Sequence, residues 1–129
     1  MTGFKSFEDI ESWQIARRLA KEIFVISGYG AFAKDFVLRD QMRRASISAL
    51  SNIAEGFERG GNAEFVQFLS VAKGSVGEIR AQLYVALDCQ YIDSARFDGL
   101  VSVTKELSRK LSALMTYLRN SGMKGVKYK

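Results

Sequence analysis

The chain predicts an all-α fold, an antiparallel up-down-up-down four-helix bundle, on three observations. First, its 129 residues contain no proline, the residue that breaks helix interiors but is common in the turns and edge strands of β folds. Second, apolar residues recur at three- and four-residue spacing in four separate stretches, the signature of helices with one buried face. Third, those stretches are joined by short glycine-, asparagine- and aspartate-rich signals, and short links favour neighbouring helices that run in opposite directions. An apolar content of 47% and a charged content of 26% are ordinary for a globular domain. We expect residues 1–121 to form the bundle and residues 122–129 a flexible basic tail.

The first helix is predicted over about residues 8–28. Trp13, Ala16, Leu19, Ala20, Ile23 and Phe24 form its apolar stripe, and Ser27-Gly28-Tyr29-Gly30 stops it, because glycine adopts left-handed backbone angles at little cost. A connection through Ala31 leads to Asp35, a candidate cap for the second helix, residues 36–58. There Leu38, Met42, Ala45, Ala49, Ile53 and Phe57 gather on one side. Arg43 intrudes on that apolar arc. An arginine so placed either snorkels to solvent or meets a carboxylate, and we expect the latter at an interface.

Arg59-Gly60-Gly61-Asn62 breaks the chain again, with Asn62 as the expected cap of the third helix, residues 63–90. Phe65, Leu69, Ala72, Val76, Ile79, Leu83 and Ala86 make a heptad seam along it. Ser70, Gly74, Gly77 and Ala81 line another side. Two interior glycines cost about 1 kcal/mol each relative to alanine, which predicts a neighbouring helix packed closely there. Ser94 is the expected cap of the fourth helix, residues 94–120, whose seam runs through Phe97, Leu100, Thr104, Leu107, Leu111, Leu114 and Leu118. Val66, Tyr84, Val85 and Tyr91 lie off the main seam of the third helix, and such surplus apolar surface predicts a homo-oligomer.

Most site chemistry is excluded by composition. The chain has no histidine and one cysteine, Cys89, so histidine-dependent catalysis, a di-iron bundle centre, a zinc site and an internal disulfide are all ruled out or strongly disfavoured. We expect Cys89 to be a small core residue. Glu55, Glu58, Glu64 and Glu78 could pair to hold a hard cation or share a proton, but such carboxylates ordinarily cap helices or pair with arginines. No catalytic, cofactor or metal residues are therefore predicted, no small-molecule substrate is evident, and the chain is expected not to be an enzyme. No apolar run approaches the roughly 18 residues of a membrane span, and the polar, acidic N-terminus is unlike a secretory signal. A cytoplasmic protein is expected.

Charge is the remaining signal. The net +5 comes entirely from residues 93–129, which hold eight basic and three acidic residues. Arg17, Arg18, Arg43, Arg44, Arg109, Lys110, Lys124 and Lys127 are the candidates for contact with nucleic-acid phosphates. The plain alternative is that they serve only as solubilising charge, and that the tail is a frayed terminus.

Four stretches then carry a resemblance: Phe7-Glu8-Asp9-Ile10-Glu11-Ser12-Trp13-Gln14, the Gln41-Met42-Arg43-Arg44-Ala45 run, the Ser51-Asn52-Ile53-Ala54-Glu55-Gly56 run, and Glu64-Phe65 through Phe68-Leu69-Ser70-Val71-Ala72-Lys73-Gly74-Ser75-Val76-Gly77-Glu78. In this order and spacing they resemble the proteins encoded in intervening sequences of bacterial 23S rRNA genes, the S23 ribosomal protein family, over about residues 4–118. The resemblance implies an antiparallel four-helix bundle, a homopentamer, no known enzymatic activity, and a connection to RNA or ribosomal nucleoprotein. A scaffold or selfish-element passenger that binds no nucleic acid is the alternative. Ala49-Leu50 stands where the family usually has Ile-Pro, which predicts a straighter second helix. The motif positions Asn52, Glu55, Ser75 and Glu78 suggest either a polar network between the second and third helices or local capping and pairing.

Overall fold

The N-terminal stretch is decided by one carboxylate. Asp9 accepts the backbone N–H groups of Lys5 and Ser6 at 3.1 and 3.2 Å, which winds Phe7–Asp9 into a single 3-10 turn. Ile10 follows in an extended conformation and is buried, so the expected helix over 8–28 is broken there. Helix α1 spans Glu11–Ile26. In the computed structural model, residues 3–122 are described, and among them there are five α-helices and no strand.

The connection after α1 is helical rather than a loop. Helix α2, Gly30–Lys34, puts Phe32 into the core, where it stacks on Tyr91 with ring centroids 5.0 Å apart. Burial of one large aromatic is enough to organise so short a helix. Helix α3 runs without interruption over Phe36–Glu58, and Asp35 caps it as the sequence predicts, accepting the Leu38 N–H at 3.1 Å. Gly60, at φ +86°, ends it.

Helix α4 spans Asn62–Asp88 and helix α5 spans Ser94–Gly122. Both caps differ from expectation by one residue. Gly61 is the N-cap of α4, and the side chain of Asn62 donates to the Leu118 carbonyl at 3.2 Å, tying the start of α4 to the far end of α5. At α5 it is Asp93 that accepts the Arg96 N–H at 2.8 Å, so the aspartate, not Ser94, satisfies the free helix donors. The chain turns between α4 and α5 through Gln90 at φ +62°, a left-handed residue that closes a Tyr91 N–H to Ala86 carbonyl bond of 2.9 Å.

The four long helices pack side by side as a bundle: α1 lies against α3 and α5, and α4 lies between α3 and α5. The predicted seams of α3, α4 and α5 supply the core, with Met42, Ile53, Phe65, Leu69, Ile79, Leu83, Leu107, Leu111 and Leu118 fully enclosed. Two expectations about outlying apolar residues divide. Val66 and Tyr91 pack against the core, whereas Tyr84 and Val85 are exposed at 53% and 46%. Phe24, expected on the α1 stripe, is also largely exposed, and Ile26 takes the core position. Among the described residues no helix is long and apolar enough to cross a membrane.

The glycines reverse the expected pattern. A Cβ at Gly74 or Gly77 would meet nothing within 4 Å, so no helix of the same chain packs closely against either. The tight approach is at Gly56 instead, where a Cβ would fall 2.7 Å from Phe68 Cβ and 2.9 Å from Phe65 Cδ1. Phe68 Cβ is fixed to its helix backbone and cannot give way cheaply. Gly56→Ala is therefore expected to destabilise the fold by about 1–3 kcal/mol, read as a lower midpoint in thermal or urea denaturation. Gly74→Ala in the same assay is expected to raise stability by up to about 1 kcal/mol.

Candidate nucleic-acid interface

Arg43 has a definite structural partner, and it is not the expected carboxylate. Its Nε donates to the Ser27 hydroxyl at 2.8 Å and one terminal nitrogen donates to the Phe24 carbonyl at 3.2 Å, while the guanidinium covers the Phe24 ring at 4.6 Å. Ser27 in turn donates to the Ile23 carbonyl at 2.6 Å. The last carbonyls of a helix lack intrahelical donors and carry partial negative charge, so a cation placed there satisfies both needs. Arg43 thus clamps the end of α1 to α3. Its neighbour Arg44 is exposed and, with Phe24, Ile47, Ser48 and Ser51, lines an open, mostly apolar depression of about 430 Å³.

The other sequence candidates separate by location. Arg17 is exposed and sits over Trp13 at 5.9 Å, a weak cation–π contact. Arg18 lines a shallow site with Lys21, Glu22, Val25 and Arg96, where the end of α1 passes the start of α5. Lys110 is paired with Glu11 at 3.0 Å. Lys124 and Lys127 lie outside the described residues. Arg109 belongs to a different group, one that sequence reasoning missed. Lys73 and Arg80 of α4 face Lys105, Ser108, Arg109 and Ser112 of α5 across a groove of about 350 Å³, and no carboxylate lines it. The missed signal was spacing: Lys73 and Arg80 are two turns apart on one helix face, as Lys105 and Arg109 are one turn apart on the next.

The expected polar network exists in reduced form. The Ser48 and Ser75 hydroxyls meet at 2.9 Å between α3 and α4, and Asn52 donates to both the carbonyl and the hydroxyl of Ser48 at 2.8 and 3.1 Å. Glu55 and Glu78 stay outside it. Glu55 pairs with Arg59 one turn on, at 3.1 Å, and Glu78 accepts from Gln82 at 3.4 Å. Both are local helix contacts of modest worth. Cys89 is exposed at the end of α4, not a core residue. Among the described residues no group of three or more histidine, cysteine or acidic side chains is close enough to hold a metal ion.

One ionisable pair is perturbed. The Tyr91 hydroxyl donates to Asp35 at 2.8 Å. Asp35 is held below the usual carboxylate range, first by the Leu38 N–H and then by Tyr91. The Tyr91 hydroxyl is pushed up to about 12, chiefly because deprotonation would destroy its bond to Asp35. This pair joins the α4–α5 turn to the start of α3.

Comparison with known proteins places the fold. The chain matches the family described as 23S rRNA-intervening sequence protein over residues 8–113. In structure it is similar to a protein of unknown function from the S23 ribosomal protein family of Bacteroides thetaiotaomicron, with a TM-score of 0.74 and 20% sequence identity, covering 81% of this chain and 95% of that one. No curated protein matches it.

Two outcomes follow from the geometry. Arg43→Ala is expected to cost about 1–2 kcal/mol from the lost bonds to Ser27 and Phe24, while Arg44→Ala leaves the thermal midpoint unchanged. The Asp35–Tyr91 pair has a sign in each direction. Depression of Asp35 stabilises the fold above its ordinary titration range and that gain is lost as pH falls through it. Elevation of Tyr91 stabilises below about pH 10 and is lost as pH rises toward about 12. Tyr91→Phe should therefore lower stability near neutrality and flatten its fall at both extremes, as measured by denaturation midpoints across pH.

Proposed function

The chain belongs to the 23S rRNA-intervening sequence protein family, and from that premise we propose that it is a non-enzymatic, oligomeric, cytoplasmic bundle that binds structured RNA or ribosomal nucleoprotein through basic surface. The observation that carries this reading is the charge on the two flanks of α5. Where α5 starts past the end of α1 lie Arg18, Lys21 and Arg96 with one carboxylate, Glu22, and further along that seam Lys110 is neutralised by Glu11. Along its seam with α4 lie Lys73, Arg80, Lys105 and Arg109 with none. Cations on neighbouring helices repel one another, so an uncompensated cluster costs stability unless an anion neutralises it. Polyphosphate backbones are the natural anion for such a surface. Arg17, Arg18 and Arg109 remain in this reading as phosphate contacts, and Arg43 leaves it as a structural clamp.

Self-association draws on apolar surface. Ile47 on α3 and Val71, Tyr84 and Val85 on α4 are exposed apolar side chains. These support a homo-oligomer, for which the family resemblance implies a pentamer. They also favour the second reading, a protein–protein scaffold that binds no nucleic acid. The up-down-up-down course is supported by three cross-helix pairs: Ser48 with Ser75, Asn62 with Leu118, and Tyr84 with Phe97.

A salt titration separates the two readings. Retention of a structured rRNA fragment at low salt, with log affinity falling steeply against log salt concentration, is the expected result. A protein that keeps its oligomer mass at high salt and retains no RNA at low salt would be a scaffold, and the RNA reading would be wrong. A particle of 14.4 kDa in both conditions would remove the oligomer.

A further inference from the structure

We infer that the α4–α5 groove is the phosphate-binding site of this protein, taking the sugar–phosphate backbone of base-paired RNA; the inference rests on the RNA reading above and names its site. The groove is built rather than incidental. Lys73 and Arg80 on α4 face Lys105 and Arg109 on α5, and Ser108 and Ser112 share the lining. None of the four cations is in an ion pair among the described residues, although Arg39, Arg59 and Lys110 are. Lys73 is half-buried, while Arg80, Lys105 and Arg109 are exposed and free to adjust.

Gly77 supplies the second, independent observation. It lies on the same helix face as Lys73 and Arg80, four residues after one and three before the other. Its place in a helix interior costs about 1 kcal/mol, and no neighbour within 4 Å requires it. A bare backbone between two cations allows an outside chain to approach the helix closely. The missing neighbour is the ligand. Along the helix axis, Lys73 to Arg80 covers about 10 Å at 1.5 Å per residue, so contact extends over more than one phosphate.

The lining also says what is bound. No aromatic side chain lines the groove, and single-stranded nucleic acid is ordinarily held by stacking bases on aromatic rings. Cations and hydroxyls alone read the backbone and not the bases. The occupant is then a duplex stem, bound without regard to its sequence.

The test is a fluorescence-anisotropy titration of the full chain with two labelled RNA stem-loops of unrelated sequence. The groove variant is Lys73→Ala/Arg80→Ala/Lys105→Ala/Arg109→Ala, and the control carries Lys5→Ala/Lys34→Ala/Arg119→Ala, three exposed cations outside both basic flanks. We expect the groove variant to lose about tenfold or more in affinity and to reduce the log–log salt slope by about 3, for four phosphate contacts at about 0.7–0.9 each. Its thermal midpoint should hold or rise, because facing like charges are removed, so loss of binding is not loss of fold. Gly77→Gln puts a neutral side chain on the α4 face between Lys73 and Arg80 without changing charge, and should weaken binding while keeping the slope. Both stem-loops should bind equally, with inorganic phosphate at matched ionic strength failing to compete. Binding that the control variant weakens as much as the groove variant does would overturn the groove and leave RNA binding standing. Wild-type protein that binds no stem-loop at low salt would overturn both. Preference for polyglutamate over RNA, or competition by free phosphate, would overturn the occupant named here.

Discussion

Helices α3 and α4 can lie as close as they do because Gly56 has no side chain. With any Cβ at that position, Phe65 and Phe68 would have to move outward, and with them the first turns of α4. Phe65 stacks edge-on against Phe57 at 6.1 Å in the same layer, and Asn62 ties that end of α4 to the end of α5. The spacing of three helices is thus set near one residue. Further along the same interface, at closer to mid-helix, Ser48 and Ser75 bring their hydroxyls to 2.9 Å. Hydroxyls half-buried between helices favour the one register that pairs them, since any slip leaves them unsatisfied. Close approach sets the distance between α3 and α4, and the serine pair sets their register.

The arginines divide the molecule by the same logic of satisfied and unsatisfied groups. Arg43 and Arg39 are spent on carbonyls: Arg43 on those ending α1, and Arg39 on Ala33 at 2.9 Å, within α2. Each also lies over an aromatic ring, Phe24 and Phe36. These are the geometries in which a planar guanidinium serves best. On the α5 flanks, by contrast, the cations have no such partners and stand beside one another. A sequence count treats the two populations alike, and only geometry distinguishes a cap from an open charge.

That distinction marks how far residue patterns carry. The seams of α3, α4 and α5 were legible because periodicity reports burial directly, and all of Phe65, Leu69, Ala72, Val76, Ile79, Leu83 and Ala86 are enclosed. The Asp35 cap was legible because a single side chain and a local backbone decide it. The caps at Asn62 and Ser94 were misplaced by one residue, since several polar residues competed there and tertiary contacts chose between them. Helix α2 was hidden because five residues carry no period, and its order comes from Phe32 meeting Tyr91, far along the chain. The glycines misled for a related reason: a spacing cannot reveal which face has a neighbour. Of the charged candidates, Arg109 was found without its groove, because its companions Lys73 and Arg80 lie on another helix.

Placing the family motifs on this frame separates what they do. The Asn52-to-Gly56 run serves the α3–α4 contact: Gly56 lies against α4, and Asn52 holds Ser48, whose hydroxyl meets Ser75 across the interface. The Lys73-to-Glu78 run also builds it at Ser75, yet the same stretch, continued to Arg80, brings Lys73 and Arg80 to the groove beside α5. One short segment of α4 therefore faces structure on one side and open charge on the other. The interior of a helix, two to three turns from its nearer end, is a stiff place to hold cations, because core packing at Ala72, Val76 and Ile79 fixes the backbone beneath them. Charges held on a rigid frame lose less entropy on meeting an anion than charges on a tail. Under the RNA reading proposed above, α4 and α5 themselves carry the phosphate contacts, where the sequence suggested the basic terminus.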